Sequence, residues 1–273
     1  MSVINTNVKS LIAQQAMATN NRSLSKAMEQ LSTGKRINSA ADDAAGLSIS
    51  NKMTAQIRGL NQAVRNANDG ISMLQTAEGA LNEVTNMLQR MRELAVQSVN
   101  GTNSAADRTA LDDEYTQLSS EITRISDKTT WNGTALIGAD KGNFTLQMGP
   151  SSSDTLVATT VDVDAATGVS SVIAGGVATT TSAAKAIDDV DAAISTVDSF
   201  RSSLGAMVNR LNYAVDNLTN VSTNTAASRS RIMDADYAAT TTELARTQII
   251  QQAATAMLAQ ANQAPSAVLS LLK

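Results

Sequence analysis

The chain has 273 residues, 21 basic and 25 acidic side chains, a formal charge of −4, and neither cysteine nor histidine. Those absences exclude thiol nucleophiles, disulfides, Cys/His zinc sites and Ser-His-Asp arrangements, so no enzyme, metal or cofactor is expected. The acidic balance excludes a dedicated nucleic-acid binder, which needs a basic phosphate-facing surface. Two prolines and 2 % aromatic residues are too few for an ordinary globule and suit long, thin helices. No window reaches the length of a membrane span, and residues 1–15 have no basic stretch followed by an apolar run, so neither a membrane segment nor a secretory leader is expected.

Residues 1–33 carry apolar positions at Ile4, Val8, Leu11, Ile12, Leu24, Met28 and Leu31, with a single charge before residue 22, Lys9. Gly34 reads as a helix C′ residue, and Ser39-Ala-Ala-Asp42 as a capping box opening the next helix. From there to about residue 99 the pattern is strongest. Leu60, Val64, Ala67, Ile71, Leu74, Ala77, Leu81, Val84, Leu88, Met91 and Ala95 follow heptad steps with one early step, a stammer, between Ile71 and Ala77. Gly70 and Gly79 interrupt it, at about 1 kcal/mol each relative to alanine. A helix over 43–99 is about 85 Å long, too long for a compact domain.

A shorter helix is expected over 105–127, from Leu111, Tyr115, Leu118, Ile122 and Ile125. Asn132-Gly133 is a hairpin-turn signal. Phe144–Met148 and Leu156–Val163 read as strands around Gly149-Pro150, and 164–182 has no period and reads as loop. Ile187, Val190, Ile194, Val197, Leu204, Val208, Leu211, Val215 and Leu218 then form a second seam that loses one slot at Arg201, beside Phe200. The expected fold is mainly α: an antiparallel coiled-coil or bundle rod with a small inserted β-hairpin region. Its expected core is Leu60, Leu74, Leu81, Leu88, Val190, Val197, Leu204, Leu211 and Leu218.

Residues 247–272 carry no charge at all, yet five glutamines, Asn262 and Pro265 argue against lipid. Two such short helices leave apolar faces exposed, which implies self-association, and alone they are expected to be marginal or disordered and to order on assembly. The expected contacts are Ile4, Val8, Leu11, Leu24, Met28 and Leu31 at one end, and Ile250, Ala254, Met257, Leu258, Leu269 and Leu272 at the other.

Several segments are also recognisable. LSTGKRINSAADDAAGLSIS (31–50), RNANDGISMLQTAEGALNEV (65–84), LQRMRELAVQS (88–98), SRIMDADYA (230–238) and QANQAPSAVLSLL (260–272) closely resemble bacterial flagellin, in the family's order and spacing. The resemblance covers roughly 1–137 and 185–273, and the short middle implies a form without large outer domains. It implies that the chain ends pair as an inner coiled coil (1–38 with 235–273), that 39–137 with 183–234 form the rod, and that 138–182 are a small insertion. It further implies a homopolymeric, helical, extracellular filament turned by the flagellar motor. The implied partners are an export chaperone, a type III export apparatus, and hook-associated and cap proteins. Two rival readings are the related hook–filament junction protein and a non-polymerising secreted adhesin or ligand. The intact 230–238 and 260–272 segments favour the filament subunit.

The resemblance carries two recognition expectations. The LQRMRELAV stretch (88–96) is similar to the region read by vertebrate Toll-like receptor 5, with Leu88, Gln89, Arg90, Leu94 and, on the neighbouring helix, Glu114 in the matching places. Arg90 with Glu93 and Glu114 reads equally as exposed ion pairs. Residues 29–50 resemble the peptide sensed by plant flagellin receptors, with departures at Gln30, Lys35 and Ala41. Family members also carry O-linked sugars, for which the Ser/Thr-rich stretch 151–182 is the natural place.

Overall fold

The computed structural model describes residues 6–138, 143–166 and 168–270, with side chains in the last helix as far as Gln263. In chain order the elements are α1 (Val8–Thr33), α2 (Ala44–Val99), α3 (Ala105–Lys128), β1 (Thr130–Trp131), β2 (Thr134–Ala135), β3 (Asn143–Gln147), β4 (Thr155–Thr159), α4 (Val169–Ile173), α5 (Thr180–Met233) and α6 (Tyr237–Ser270). They form two compact units: residues 1–57 with 223–273, and residues 58–222. Among the described residues no helix is long and apolar enough to cross a membrane.

The unit spanning 58–222 is built on an unbroken heptad. Leu60, Ala63, Ala67, Gly70, Leu74, Ala77, Leu81, Val84, Leu88, Met91, Ala95 and Ser98 are all buried, in steps of three and four throughout. The expected stammer is therefore absent. Gly70, not Ile71, occupies the inward slot, and Ala63 replaces Val64. The physical reason is the insertion: a Cβ on Gly70 would stand 2.5 Å from Leu146 Cδ1, so the β3–β4 hairpin supplies the bulk that the glycine lacks. The same hairpin touches α2 again at Gly59, where Pro150 packs, and at Asn66, whose amide donates to the Gln147 carbonyl at 3.1 Å. Gly79 meets nothing and has no such role.

The second seam is also complete. Phe200 packs against the core and takes the slot expected to be lost at Arg201. Arg201 lies alongside, with its Nε buried and without a partner among the described residues. Of the nine expected core residues, Leu218 is partly buried and the other eight are buried. α3 adds Tyr115 and Ile122 to the same core, and the insertion adds Leu136, Ile137, Ala158, Val163, Val169, Val172 and Val177.

Local boundaries follow the chemistry of their ends. Ser104 and Asp107 make a reciprocal capping box at the start of α3. Asn132 (φ 49°) and Gly133 (φ 82°) form the left-handed turn joining β1 to β2, as the Asn-Gly pair predicts. β3 pairs antiparallel with β4 in the register Asn143↔Thr159 to Gln147↔Thr155. β4 ends at Thr159, short of the expected Val163. The stretch expected to be loop contains α4 and the first turn of α5. Its alanine-, serine- and threonine-rich residues carry too little apolar contrast to display a period.

The unit of the chain ends contains α1 and α6 with the adjoining ends of α2 and α5. Asn7 caps α1, its side chain accepting from the Ser10 N–H at 3.1 Å, and Gly34 (φ 70°) ends that helix in the left-handed conformation. The expected capping box does not open α2. Asp42 turns back to accept from the Asn38 and Ser39 N–H groups, making a closed turn, and Asp43 caps the helix by accepting from Gly46 N–H at 2.8 Å. Lys26 bridges to Asp42 at 2.8 Å. That bond, with the two backbone donors, holds the Asp42 carboxyl well below the usual carboxylate range. Between α5 and α6, Asp236 accepts from the Ala238 and Ala239 N–H groups and caps α6.

Candidate assembly surfaces

α1 and α6 lie closely against each other. The positions turned inward are Ser10, Ala13, Met17, Asn20, Leu24, Ala27 and Leu31 on α1, and Thr240, Leu244, Thr247, Gln251, Ala254, Leu258 and Ala261 on α6. Both sets follow strict heptad steps, and five of the fourteen are polar. Small side chains let the backbones approach, so inward amides reach main-chain carbonyls across the seam. Asn20 Nδ2 donates to the Thr247 carbonyl at 2.9 Å, and Asn7 Nδ2 to the Ala261 carbonyl at 2.8 Å. Ser10 Oγ donates to Asn262 Oδ1 at 2.9 Å and Gln251 Nε2 to Asn21 Oδ1 at 3.2 Å.

A second set of large apolar side chains faces the other way. Val8, Leu11, Ile12 and Met28 are 50–63 % exposed, and Ile249, Ile250 and Met257 are 41–66 % exposed. A soluble helix pair normally keeps its bulky residues inside and its polar ones outside. This pair keeps Met17, Leu24, Leu31, Leu244 and Leu258 inside yet leaves a second apolar set outside, and an apolar surface of that kind calls for further protein to cover it. Of the expected contact residues, Val8, Leu11, Met28, Ile250 and Met257 point outward. Leu24, Leu31, Ala254 and Leu258 line the seam instead. Ile4 and Leu272 lie outside the described residues, and the side chain of Leu269 is likewise outside them.

On α2 and α3 the expected recognition residues divide in two. Gln89, Arg90 and Glu114 are exposed, whereas Leu88 and Leu94 are fully buried in the core. Arg90 Nε donates to Glu114 Oε1 at 3.0 Å and Nη1 to Glu93 Oε2 at 2.9 Å. Glu114 first, then Glu93, raises the Arg90 pKa above its ordinary value. The arginine thus presents a guanidinium already bracketed by two carboxylates that solvent also reaches.

A third group was not read from the sequence. Three serine hydroxyls tie the insertion to the helices: Ser98 donates to the Val177 carbonyl, Ser119 to Ile173 at 3.2 Å and Ser126 to Ile137 at 3.0 Å. Asp112 accepts from the Val177 N–H beside them. The signal was present. Ser119 and Ser126 stand four residues after Tyr115 and Ile122, on the core face of α3, where a small polar residue needs an internal partner.

Long paired helices carrying an exposed apolar flank are the build of a self-assembling structural protein. Two family models match it. The bacterial flagellin N-terminal helical region matches residues 4–141 and the bacterial flagellin C-terminal helical region matches residues 187–272. The chain is 49 % identical to the flagellin of Halalkalibacterium halodurans over 99 % of this chain and 100 % of that one. It is 38 % identical to flagellin B of Vibrio cholerae over 98 % and 99 %. The crystal structure of Bacillus cereus flagellin is similar at a TM-score of 0.53 and 34 % identity, covering 60 % of this chain and 94 % of that one. A flagellar hook-associated protein of Vibrio parahaemolyticus shares the fold at a TM-score of 0.59 and 13 % identity. The chain belongs to the bacterial flagellin family. It is a structural subunit of the extracellular flagellar filament, in a form without a large outer domain.

Proposed function

We propose that the outward flanks of the α1–α6 pair are the principal subunit contacts of that filament. The observation that carries this reading is the apolar flank the pair leaves uncovered: Leu11, Ile12, Ile249 and Met257 are exposed although Leu24, Leu31, Leu244 and Leu258 already fill the seam. These side chains are already partly covered, so burying the rest against a second copy contributes about 1–2 kcal/mol each. A stacking contact between different faces propagates without closing, and so yields a tube. Residues 1–38 with 235–273 act as the assembly layer, bounded by the turn at Gly34 and the cap at Asp236. Residues 39–137 with 183–234 act as the rod, and 138–182 as its insertion. Leu11→Asp, exposed in the free chain, should leave the circular dichroism of the monomer unchanged and prevent polymerisation; normal filaments from it would refute the reading.

Family membership supports the remaining partners: an export chaperone, the type III export apparatus, and hook-associated and cap proteins. It also supports recognition by Toll-like receptor 5 through Gln89, Arg90 and Glu114, which the helices hold on one exposed face, while Leu88 and Leu94 anchor that face from beneath. A guanidinium fork can transfer from Glu93 and Glu114 to receptor acceptors, a geometry lysine does not reproduce. Arg90→Asp should weaken signalling in a receptor reporter assay at unchanged monomer stability, and equal potency would remove Arg90 from the contact.

A further inference from the structure

The tripeptide Asn-Gly-Thr occurs at 100–102 and again at 132–134, both times in an exposed turn of the unit spanning 58–222. An asparagine before glycine carries its own electrophile and nucleophile: the side-chain amide carbon and the next main-chain nitrogen, which no Cβ shields. The covalent sequence is the same at the two places, and the backbone is not. Asn132 holds φ 49° and Gly133 φ 82° in the turn between β1 and β2. In the left-handed conformation the next nitrogen stands anti to Cβ across the Cα–C bond, so the side chain cannot meet it until the hairpin turn opens.

Asn100 is held differently. It follows the last turn of α2 with a negative φ, and its Oδ1 accepts from the Thr102 N–H at 3.3 Å. An oxygen that reaches the Thr102 nitrogen carries its own carbon over the intervening Gly101 nitrogen. The same bond polarises that carbon and stabilises the negative oxygen that attack on it creates. The turn is anchored around this pair: the Asn103 N–H and Arg108 Nη2 donate to the Asn100 carbonyl, each at 3.2 Å, and Asn103 Nδ2 donates to the Gln97 carbonyl at 2.7 Å. Nothing lies within 4 Å of where a Cβ on Gly101 would stand, so water reaches the site freely.

The geometry points to Asn100 as a self-modifying position, a deamidation site at which the turn converts its own asparagine into aspartate and isoaspartate. The Gly101 nitrogen bonds to Asn100 Cγ, the Cγ–Nδ2 bond breaks, and the Gly101 amide proton leaves with Nδ2 as ammonia. The five-membered imide so formed then takes up water. Addition at Cγ gives aspartate, and addition at the main-chain carbonyl carbon gives isoaspartate. Nothing is oxidised or reduced; ammonia is lost and water gained. Aspartate keeps the turn and sets a new carboxylate beside Arg108. Isoaspartate routes the main chain through Cγ, which removes the carbonyl on which Asn103 and Arg108 converge and loosens the junction of α2 with α3. The step is irreversible, so product accumulates with the age of the chain. It lies within the unit spanning 58–222 and is independent of how the chain ends pair.

The second tripeptide is an internal control. Incubation of the full-length chain at mildly alkaline pH in water enriched in oxygen-18 marks each event by the oxygen it incorporates, and mass spectrometry of the two peptides reads both sites. Asn100 should deamidate at least about tenfold faster than Asn132 in the folded chain. In urea, where neither turn persists, the identical tripeptides should react within about twofold of each other. Gly101→Ala should slow the reaction at Asn100 about tenfold and leave Asn132 unchanged. Equal rates in the folded chain, or a faster Asn132, would overturn the inference. So would an Asn100 that stays intact in the folded chain while it reacts in urea. The same preference in urea would overturn it as well, because the difference would then belong to the preceding residues, Val99 and Trp131, and not to the turns.

Discussion

Arg92 of α2 forks onto Asp191 of α5, Nε to Oδ1 at 2.6 Å and Nη2 to Oδ2 at 3.2 Å. Thirty-one residues earlier on α2, Asn61 accepts from Ser222, which lies 31 residues after Asp191 on α5. Equal offsets at both points mean that the two helices run antiparallel without a slip between them, as two unbroken heptads require. Arg92 holds the Asp191 carboxyl below its ordinary range, chiefly through the hydrogen bond. This contribution is present above the usual carboxylate pKa and is lost as pH falls through the depressed one. A double-mutant cycle of Arg92→Ala and Asp191→Ala should show favourable coupling at neutral pH and low salt. In about 1 M salt it should vanish, because both groups are solvent-exposed and screening is then complete within a few ångströms.

The two glycines in the α2 heptad should respond in opposite senses. Gly79 stands in open space, so Gly79→Ala should raise the stability of the monomer by about 0.5–1 kcal/mol, the helix-propensity difference. Gly70 is filled by Leu146, so overpacking of about 1–3 kcal/mol outweighs the same propensity gain of about 1 kcal/mol, and Gly70→Ala should lower stability by up to about 2 kcal/mol. Urea denaturation of the two variants checks the pair. Equal effects would mean that the hairpin does not rest on α2.

Tyr115 should titrate late. Its ring is fully buried, its hydroxyl has no hydrogen-bond partner among the described residues, and burial, then Asp189 and Asp112, pushes it up to about 12. The folded state therefore favours the neutral phenol. Its stabilising contribution is complete below about pH 10, the ordinary value, and is lost as pH rises from there through 12. Ultraviolet titration should show a late phenolate component that Tyr115→Phe removes. At pH 7 the same substitution should leave stability unchanged or raise it by up to about 1 kcal/mol, because the hydroxyl it removes is unsatisfied.

Much of this architecture was legible because leucine and valine mark a heptad directly. The expected 43–99 helix matches α2 to within a residue, and the 105–127 helix matches α3 as closely. The errors in the seam have one cause: apolarity is an incomplete proxy for facing inward. Ile71 is apolar but lies beside the seam, and Gly70 is inside because a distant hairpin fills its place. Serine-rich segments hid α4, and although the placement of Ser119 and Ser126 on the core face of α3 was legible, their partners and that of Ser98 lie 11 to 79 positions away and were not. The chain ends show the same limit most clearly. Hydrophobicity marked Val8, Leu11 and Met257 as expected contacts alongside Leu24 and Leu258, which line the seam, and gave no reason to place Asn20 and Thr247 inside. Only the packed pair reveals which side of each helix the protein itself covers.

The most direct test of the central claim is electron microscopy of the purified protein after seeding, beside Met257→Asp. Met257 is exposed in the free chain, so the variant should fold as the natural chain does. The account predicts long helical tubes from the natural chain and persistent monomers from Met257→Asp at equal helicity. Tubes of normal length from the variant would contradict it, because the outward flank of α6 would then not be the surface that a second copy covers.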